Sequence, residues 1–370
     1  MRLTARSLNR TTLHRQALLA RRHVAVEAAV HDAFAVQAQE PASPYLALWN
    51  RVDGFDAAEL DRAFAERRLV KATLMRATLH AVTAADHPLL HAAMLPRLRE
   101  ARLPDRRFAA LGITAAEADA ALADLLGHLA EPRSNAEIEA VLTERFGALP
   151  EPGLWWALRT YGPVQHAVTD APWGFGPRPC YVAAPPAEPV EHADAVRHYV
   201  SRYLAAFGPA TAKDLAQFSL LRMPWIRDAI ASLELDEHSG PAGERLVDVP
   251  GGDLADAPAP PRLLGMWDSV LLAYADRARV IPPEYRRHVI RSNGDTLPTV
   301  LVDGHVAGSW RATPDGIEIG AFRPLAPDAW RALTAEAEAL RAFVADRDPE
   351  VYRRYGRWWA SLPVVESRVL

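Results

Sequence analysis

The 370-residue chain has one cysteine, Cys180, and two lysines, Lys71 and Lys213. A single cysteine excludes an internal disulfide and any zinc site built on cysteines. Two lysines leave few amines for Schiff-base chemistry, which needs a lysine or an N-terminal amine of lowered pKa. No run approaches the ~18 uncharged apolar residues of a membrane span. The opening Met1-Arg2-Leu3-Thr4 lacks the apolar core of a secretion signal. No glycine-rich phosphate loop occurs, and Ser7, Ser43 and Ser309 stand in no nucleophile-elbow context. Together these absences suit a protein of the bacterial cytoplasm.

Charge of one sign is also missing. The net charge of −4 argues against coating nucleic acid by bulk charge, but leaves local patches open. Arg2, Arg6, Arg10, Arg15, Arg21 and Arg22 occupy the first 22 residues with no acid among them. Arg67, Arg68, Lys71 and Arg76 form a second group, and Arg277, Arg279, Arg286, Arg287 and Arg291 a third. Each reads either as a DNA-backbone footprint or as a solvated helix face. Hydrophobic content of 49% is ample for packed cores, and the length implies two to four units.

Apolar spacing predicts helices over 4–19, 24–37 and 43–51, with Asp56 capping a fourth. Val70 to Thr83 then alternates like two short strands. Three helices followed by a hairpin is the order of a winged helix, a helix-turn-helix variant. Thr114 with Glu117 and Ser134 with Glu137 read as capping boxes. Strands over 163–168 and 180–182 suggest a second winged unit, and Pro185-Pro186 with Pro189 a linker. A helix over 191–207, a cap at Thr211 and a helix opening at Met223-Pro224-Trp225 suggest a third. Asp303-Gly304 signals a type I′ hairpin in a small sheet or barrel, and Pro327 opens a long helix. The expected fold class is α+β. It comprises winged-helix units at 1–85, 86–188 and 189–260, and a C-terminal β region with a long helix at 261–370.

The stretch Val36-Gln37-Ala38-Gln39-Glu40-Pro41 stands apart. Pro41 and Pro44 forbid a helix to continue, so two glutamines spaced i, i+2 fall where helix gives way to extended chain. Alternate residues there point the same way. A Q-x-Q pair alone is ordinary surface chemistry, so its surroundings decide. His87 and His91 have metal-ligand spacing on a predicted helix but no third ligand, so they read as core or surface histidines.

In order along the chain, Leu8-Asn9-Arg10, Leu13, Gln16, Leu18-Leu19 and Arg21-Arg22 precede the glutamine stretch. Ser43-Pro44-Tyr45, Leu48-Trp49, Leu69-Val70, Arg76 to His80 and Asp86 follow it. Farther on come Asp276-Arg277, Arg279, Leu301 to Gly304, Gly308 and Trp310. This series resembles the AlkZ-like winged-helix DNA glycosylases, weakly so between about 101 and 190. The resemblance implies a C-shaped, monomeric DNA-binding protein without cofactor or metal, working on the nucleoid. The implied activity is hydrolysis of the N-glycosidic bond of N7-alkylated purines in double-stranded DNA. It includes unhooking of interstrand crosslinks in azinomycin-type self-resistance. Gln37 and Gln39 would be catalytic. Contacts to DNA are expected from Arg76, His80, Tyr45, Trp49 and the 303–311 hairpin through His305 and Arg311.

Carboxamides suit this reaction. They are neutral, hold a water through the carbonyl and donate through the NH₂, but are poor bases. N7-alkylation has already activated the leaving base. The remaining work is to place water and stabilise an oxocarbenium-like sugar. With few amines available, a monofunctional enzyme that leaves an intact abasic site is expected. In some relatives the second glutamine is an aspartate; here Glu40 is the nearest carboxylate. A non-catalytic winged-helix transcriptional regulator is the alternative.

Overall fold

Helix starts follow the capping chemistry written in the sequence. Asp56 accepts from the Ala58 amide, and Thr114, Ser134 and Thr211 form capping boxes with Glu117, Glu137 and Asp214. The computed structural model describes residues 1–149 and 153–370. It opens with α1 (Ala5–Arg15), α2 (Val26–Ala33), β1 (Val36–Gln37), α3 (Ser43–Trp49) and α4 (Ala57–Ala65). The hairpin β2 (Leu69–Thr73) and β3 (Leu79–Thr83) follows. Next come α5 (His87–Arg102), α6 (Arg106–Ala109), α7 (Ala115–His128), β4 (Arg133–Ser134), α8 (Asn135–Phe146), α9 (Gly153–Tyr161), β5 (Val164–Ala167) and β6 (Cys180–Ala183). Helices α10 (His192–Phe207), α11 (Ala212–Ser219) and α12 (Met223–Ser232) precede the hairpin β7 (Asp236–Ser239) and β8 (Arg245–Asp248). The chain ends with β9 (Arg262–Leu264), α13 (Arg286–Val289), β10 (Thr299–Val302), β11 (His305–Thr313), β12 (Gly316–Ala321), α14 (Pro327–Ala345) and β13 (Glu366–Val369).

Two larger sheets organise this mixture of helix and strand. One has the order β1-β3-β2-β5-β6-β4, the other β13-β12-β11-β10-β9. The first crosses the boundary expected at 85–86, because β2 pairs with β5 through Lys71 opposite His166 and Ala72 opposite Gln165. Without β5 that edge of β2 would leave ladder groups bare. The cores cross segment boundaries too. One joins Phe34 and α5 to α9, α10 and α11. The other joins α2, α3 and α4 to the C-terminal sheet and α14.

The second helix ends four residues earlier than its apolar run suggested. Phe34 and Ala35 both adopt left-handed backbone, with φ of 51° and 56°. A side chain there costs roughly 1–2 kcal/mol per residue. Packing holds the turn: Phe34 lies 6.0 Å from Tyr199 and 6.3 Å from Phe218, and the Ser269 hydroxyl donates to the Ala35 carbonyl at 3.0 Å. The chain then extends along the free edge of β3, pairing Val36 with Ala81 and Gln37 with His80. Pro41 is therefore not the stop. Ala17, with φ of 52°, likewise follows the end of α1 at Arg15. The type I′ turn is as the sequence suggested, with positive φ at both Asp303 and Gly304.

Candidate active site

Gln37 is buried, and its surroundings fix its amide. Arg76 donates through Nη2 to Gln37 Oε1 at 3.0 Å and through Nη1 to the Phe218 carbonyl at 2.6 Å. Its guanidinium lies 4.6 Å over the Phe218 ring. Arginine has no acceptor, so the glutamine carbonyl must face it and the NH₂ must turn away. His80 sits opposite on β3, fully enclosed, with Nδ1 3.0 Å from the Thr78 carbonyl and Nε2 3.5 Å from Arg76. Burial, aided by the Arg76 charge, pushes the imidazole down to about 3, so Nδ1 carries the proton and the ring is neutral. Burial also lowers Arg76 to about 10, leaving it cationic at neutral pH.

A polar cluster supports the strand from below. Arg51 makes two 2.8 Å bonds to Asp268 and a third, of 3.1 Å, to Gln16 Oε1. Gln16 Nε2 donates to the Ala33 and Ala206 carbonyls. A cavity of about 10 Å³, bordered by Gln37, Gln16, Ser43, Arg51 and Asp268, has room for about one water.

Gln39 has a different setting. Its side chain is exposed, and its carbonyl accepts only a long 3.4 Å bond from the Leu79 amide. It lines an open cleft of about 680 Å³ whose walls include Glu40, Lys71, His166, Trp173, Phe175 and the 348–354 segment. Glu40 is engaged: it pairs with Arg354 and accepts from the Tyr355 hydroxyl at 3.1 Å. Trp173 donates to Asp348 at 3.2 Å and lies 5.1 Å from Tyr45.

Most of the expected DNA contacts turn inward. Tyr45 has no exposed surface; its hydroxyl donates to Asp61 at 2.6 Å, and its ring backs the cleft wall. Trp49 packs on Phe343 and under the Arg21 guanidinium. His80 is enclosed, and Arg76, though partly exposed, is turned to Gln37 and the Phe218 carbonyl. His305 and Arg311 do reach solvent, with Arg311 shared between Glu318 and the Trp359 ring. The 303–304 turn before them is docked on α1, where Asn9 donates to the Gly304 carbonyl at 2.9 Å and Arg10 to that of Asp303 at 3.1 Å.

The N-terminal arginines are likewise consumed. Arg6, Arg10, Arg15, Arg21 and Arg22 pair with Asp256, Asp303, Asp248, Glu336 and Asp32, all far from them in sequence except Asp32. His87 and His91 stack at 5.9 Å, with His91 Nε2 2.9 Å from the Tyr161 carbonyl. No group of three potential metal ligands is gathered among the described residues.

Sequence reasoning counted Lys71 in a basic group that reads as a DNA-backbone footprint, but it did not assemble the opposite wall of the cleft. Lys71, placed on a wing by its sequence, is only 4% exposed, with its ammonium 4.5 Å over the Phe175 ring. Burial pushes it down to about 8. His166, its cross-strand neighbour, is pushed well below the usual imidazole range by burial, then by Lys71 and Arg159. Only the pairing of β2 with β5 brings these two together, and nothing in either strand's own pattern announces it. Arg353 and Arg354, which close the cleft, lie some 310 residues beyond Gln39.

Residues 30–343 match the family model described as DNA glycosylase AlkZ-like. The chain is 27% identical over 246 residues to the interstrand DNA cross-link repair glycosylase of Streptomyces sahachiroi. The matched stretch is 60% of this chain and spans 60% of that relative's length. The solved structure of Streptomyces sahachiroi DNA glycosylase AlkZ superposes with a TM-score of 0.79 at 22% identity, covering 92% of this chain and 96% of that one. The likeness in structure speaks for the fold, and the family match covers most of the chain: it belongs to the AlkZ-like DNA glycosylase family.

Proposed function

We propose that the protein removes N7-alkylated purines from double-stranded DNA by hydrolysis, and that it unhooks interstrand crosslinks as a self-resistance enzyme of the azinomycin type. The observation that carries this reading is the division between the two glutamines. One carboxamide is held rigidly by Arg76; the other stands free in an open cleft. Neither is a base, and the adjacent carboxylate, Glu40, is occupied by Arg354. A reaction run by such groups needs a leaving group that is already activated, which a cationic N7-alkylguanine supplies. Gln39 orients the attacking water through its carbonyl, and Gln37, whose carbonyl is taken by Arg76, contributes its NH₂ as a fixed donor. An open cleft, rather than a closed pocket, accepts a base tethered to the other strand, which cannot rotate fully out of the duplex.

The order of helices before the β2–β3 hairpin, repeated in α10 to β8, supports tandem winged-helix units in a C-shaped arrangement. On this reading the first two units act as one body through their shared sheet. The enzyme works as a cytoplasmic monomer, without cofactor, on nucleoid DNA. The test is incubation with DNA containing N7-methylguanine, then hot alkali. Strand breaks at the modified guanines above a no-enzyme control support excision. A mobility shift without extra breaks overturns it in favour of a binder.

A further inference from the structure

Buried cations elsewhere in this fold are answered. Arg10, Arg15 and Arg51 are all at most 8% exposed, and each meets an aspartate: Asp303, Asp248 and Asp268. Lys71 is as deeply buried, and no hydrogen bond or counterion offsets its burial among the described residues. It sits in the middle of the six-stranded sheet, flanked by Ala81 on β3 and His166 on β5. Its ammonium faces the cleft that Gln39 lines from another side. The acids of the far wall are already engaged: Glu40 with Arg354, Asp348 with Trp173 and Glu350 with Arg353. An ammonium set so deeply and resting only on the Phe175 ring is unfavourable in the free protein, and beside a cationic lesion it would oppose binding by like charge. A phosphodiester removes both difficulties, and it is the one anion that DNA brings.

We infer that Lys71 is a phosphate-binding residue of this cleft, pairing with one phosphodiester beside the lesion and so registering the glycosidic bond against Gln39. This rests on the glycosylase reading above. The fold leaves the counterion out so that the substrate supplies it. Lys71 then discriminates for DNA threaded through the cleft over DNA lying on the outer surface.

The test uses the full chain and duplexes containing one N7-methylguanine, each with a single neutral methylphosphonate at successive positions around the lesion. Wild-type protein is expected to lose affinity about tenfold at one position. Lys71→Met, which keeps the stem over Phe175, should show that loss on natural DNA and be insensitive to the methylphosphonate at the same position. The slope of log K against log salt should fall by about one in Lys71→Met and be retained in Lys71→Arg. Equal sensitivity of wild type and Lys71→Met at every phosphate overturns the inference, even if the wild type excises N7-methylguanine normally. So does a covalent protein–DNA adduct trapped by borohydride during turnover and absent in Lys71→Met, because that places the amine on C1′. An inert wild type with an intact phosphate footprint instead sinks the glycosylase reading.

Discussion

Gln37 and Gln39 are two residues apart and occupy opposite environments. Gln37 is the last residue of a strand, paired with His80, enclosed and bonded to a cation that itself leans on Phe218. Gln39 lies past the strand end, beside an amide it barely reaches, in a cleft open to solvent. The difference teaches that a Q-x-Q stretch need not be a symmetric pair. The sheet edge and Arg76 fix the first amide, and release from the sheet frees the second. A rigid dipole suits charge developing at a fixed place; a free amide suits a water and a substrate of variable bulk.

The largest expected effects separate these roles. Gln39→Ala should lower the excision rate about 100-fold, the scale of losing one preorganised polar group at a reacting centre. Its unfolding free energy should stay within about 0.5 kcal/mol of wild type, as for surface substitutions. Gln37→Ala should slow excision comparably but also cost about 1–2 kcal/mol, because a part-buried donor of Arg76 loses its acceptor. Single-turnover rates and urea denaturation check both. Equal stability losses in the two variants would erase the contrast, and normal excision by Gln39→Ala would move the chemistry elsewhere.

Acid should act through the enclosed histidines. His80 has a folded pKa of about 3 against 6.5 for the unfolded chain, as does His87, in both cases chiefly through burial. The unfolded state therefore binds more protons between these values, so stability is fully present above about pH 6.5 and is lost as pH falls towards 3. One such histidine contributes a loss of about 2 kcal/mol between pH 7 and pH 5. Urea titrations at the two pH values should show this loss shrinking by a similar amount in His80→Asn, whose amide does not titrate. An unchanged pH dependence would mean that the ring is open to solvent.

How far the sequence could be read follows the same division. Local chemistry was legible: the caps at Asp56, Thr114, Ser134 and Thr211, the turn at Asp303-Gly304, the long helix from Pro327 and the strands on either side of Arg76. The glutamine stretch stood out because prolines frame it. Long-range partnership was not legible. Arg10 and Arg15 read as a DNA footprint until Asp303 and Asp248 arrive from more than 230 residues away. Tyr45 and Trp49 read as DNA contacts because helical spacing does not show which face α14 and Trp173 will cover. The end of α2 was misplaced because left-handed Phe34 and Ala35 are stabilised by Ser269, Tyr199 and Phe218, all remote in sequence.

The smallest effects should come from the outer surface, where cations differ in how tightly a carboxylate holds them. Arg6 is exposed but paired with Asp256, and Arg311 is shared by Glu318 and Trp359. Arg353 and Arg357, on the exposed segment after α14 and beyond the residues that match the family model, hold Glu350 and Asp295 only at 3.4 and 3.6 Å. A phosphate gains least from a guanidinium that already has a carboxylate, since the acid must be displaced first. Arg6→Ala should therefore leave DNA affinity unchanged. Arg311→Ala, alone or with His305→Ala, should weaken it only about two- to threefold near 0.15 M salt, where exposed charges are screened over about 8 Å. Arg353→Ala with Arg357→Ala should weaken it more and flatten its salt dependence, the slope falling by up to about two if both arginines meet phosphates. Fluorescence anisotropy with a lesion-bearing duplex at several salt concentrations ranks the three. If Arg6→Ala proves the most damaging, DNA runs along α1 instead, and the N-terminal pairs are broken on binding.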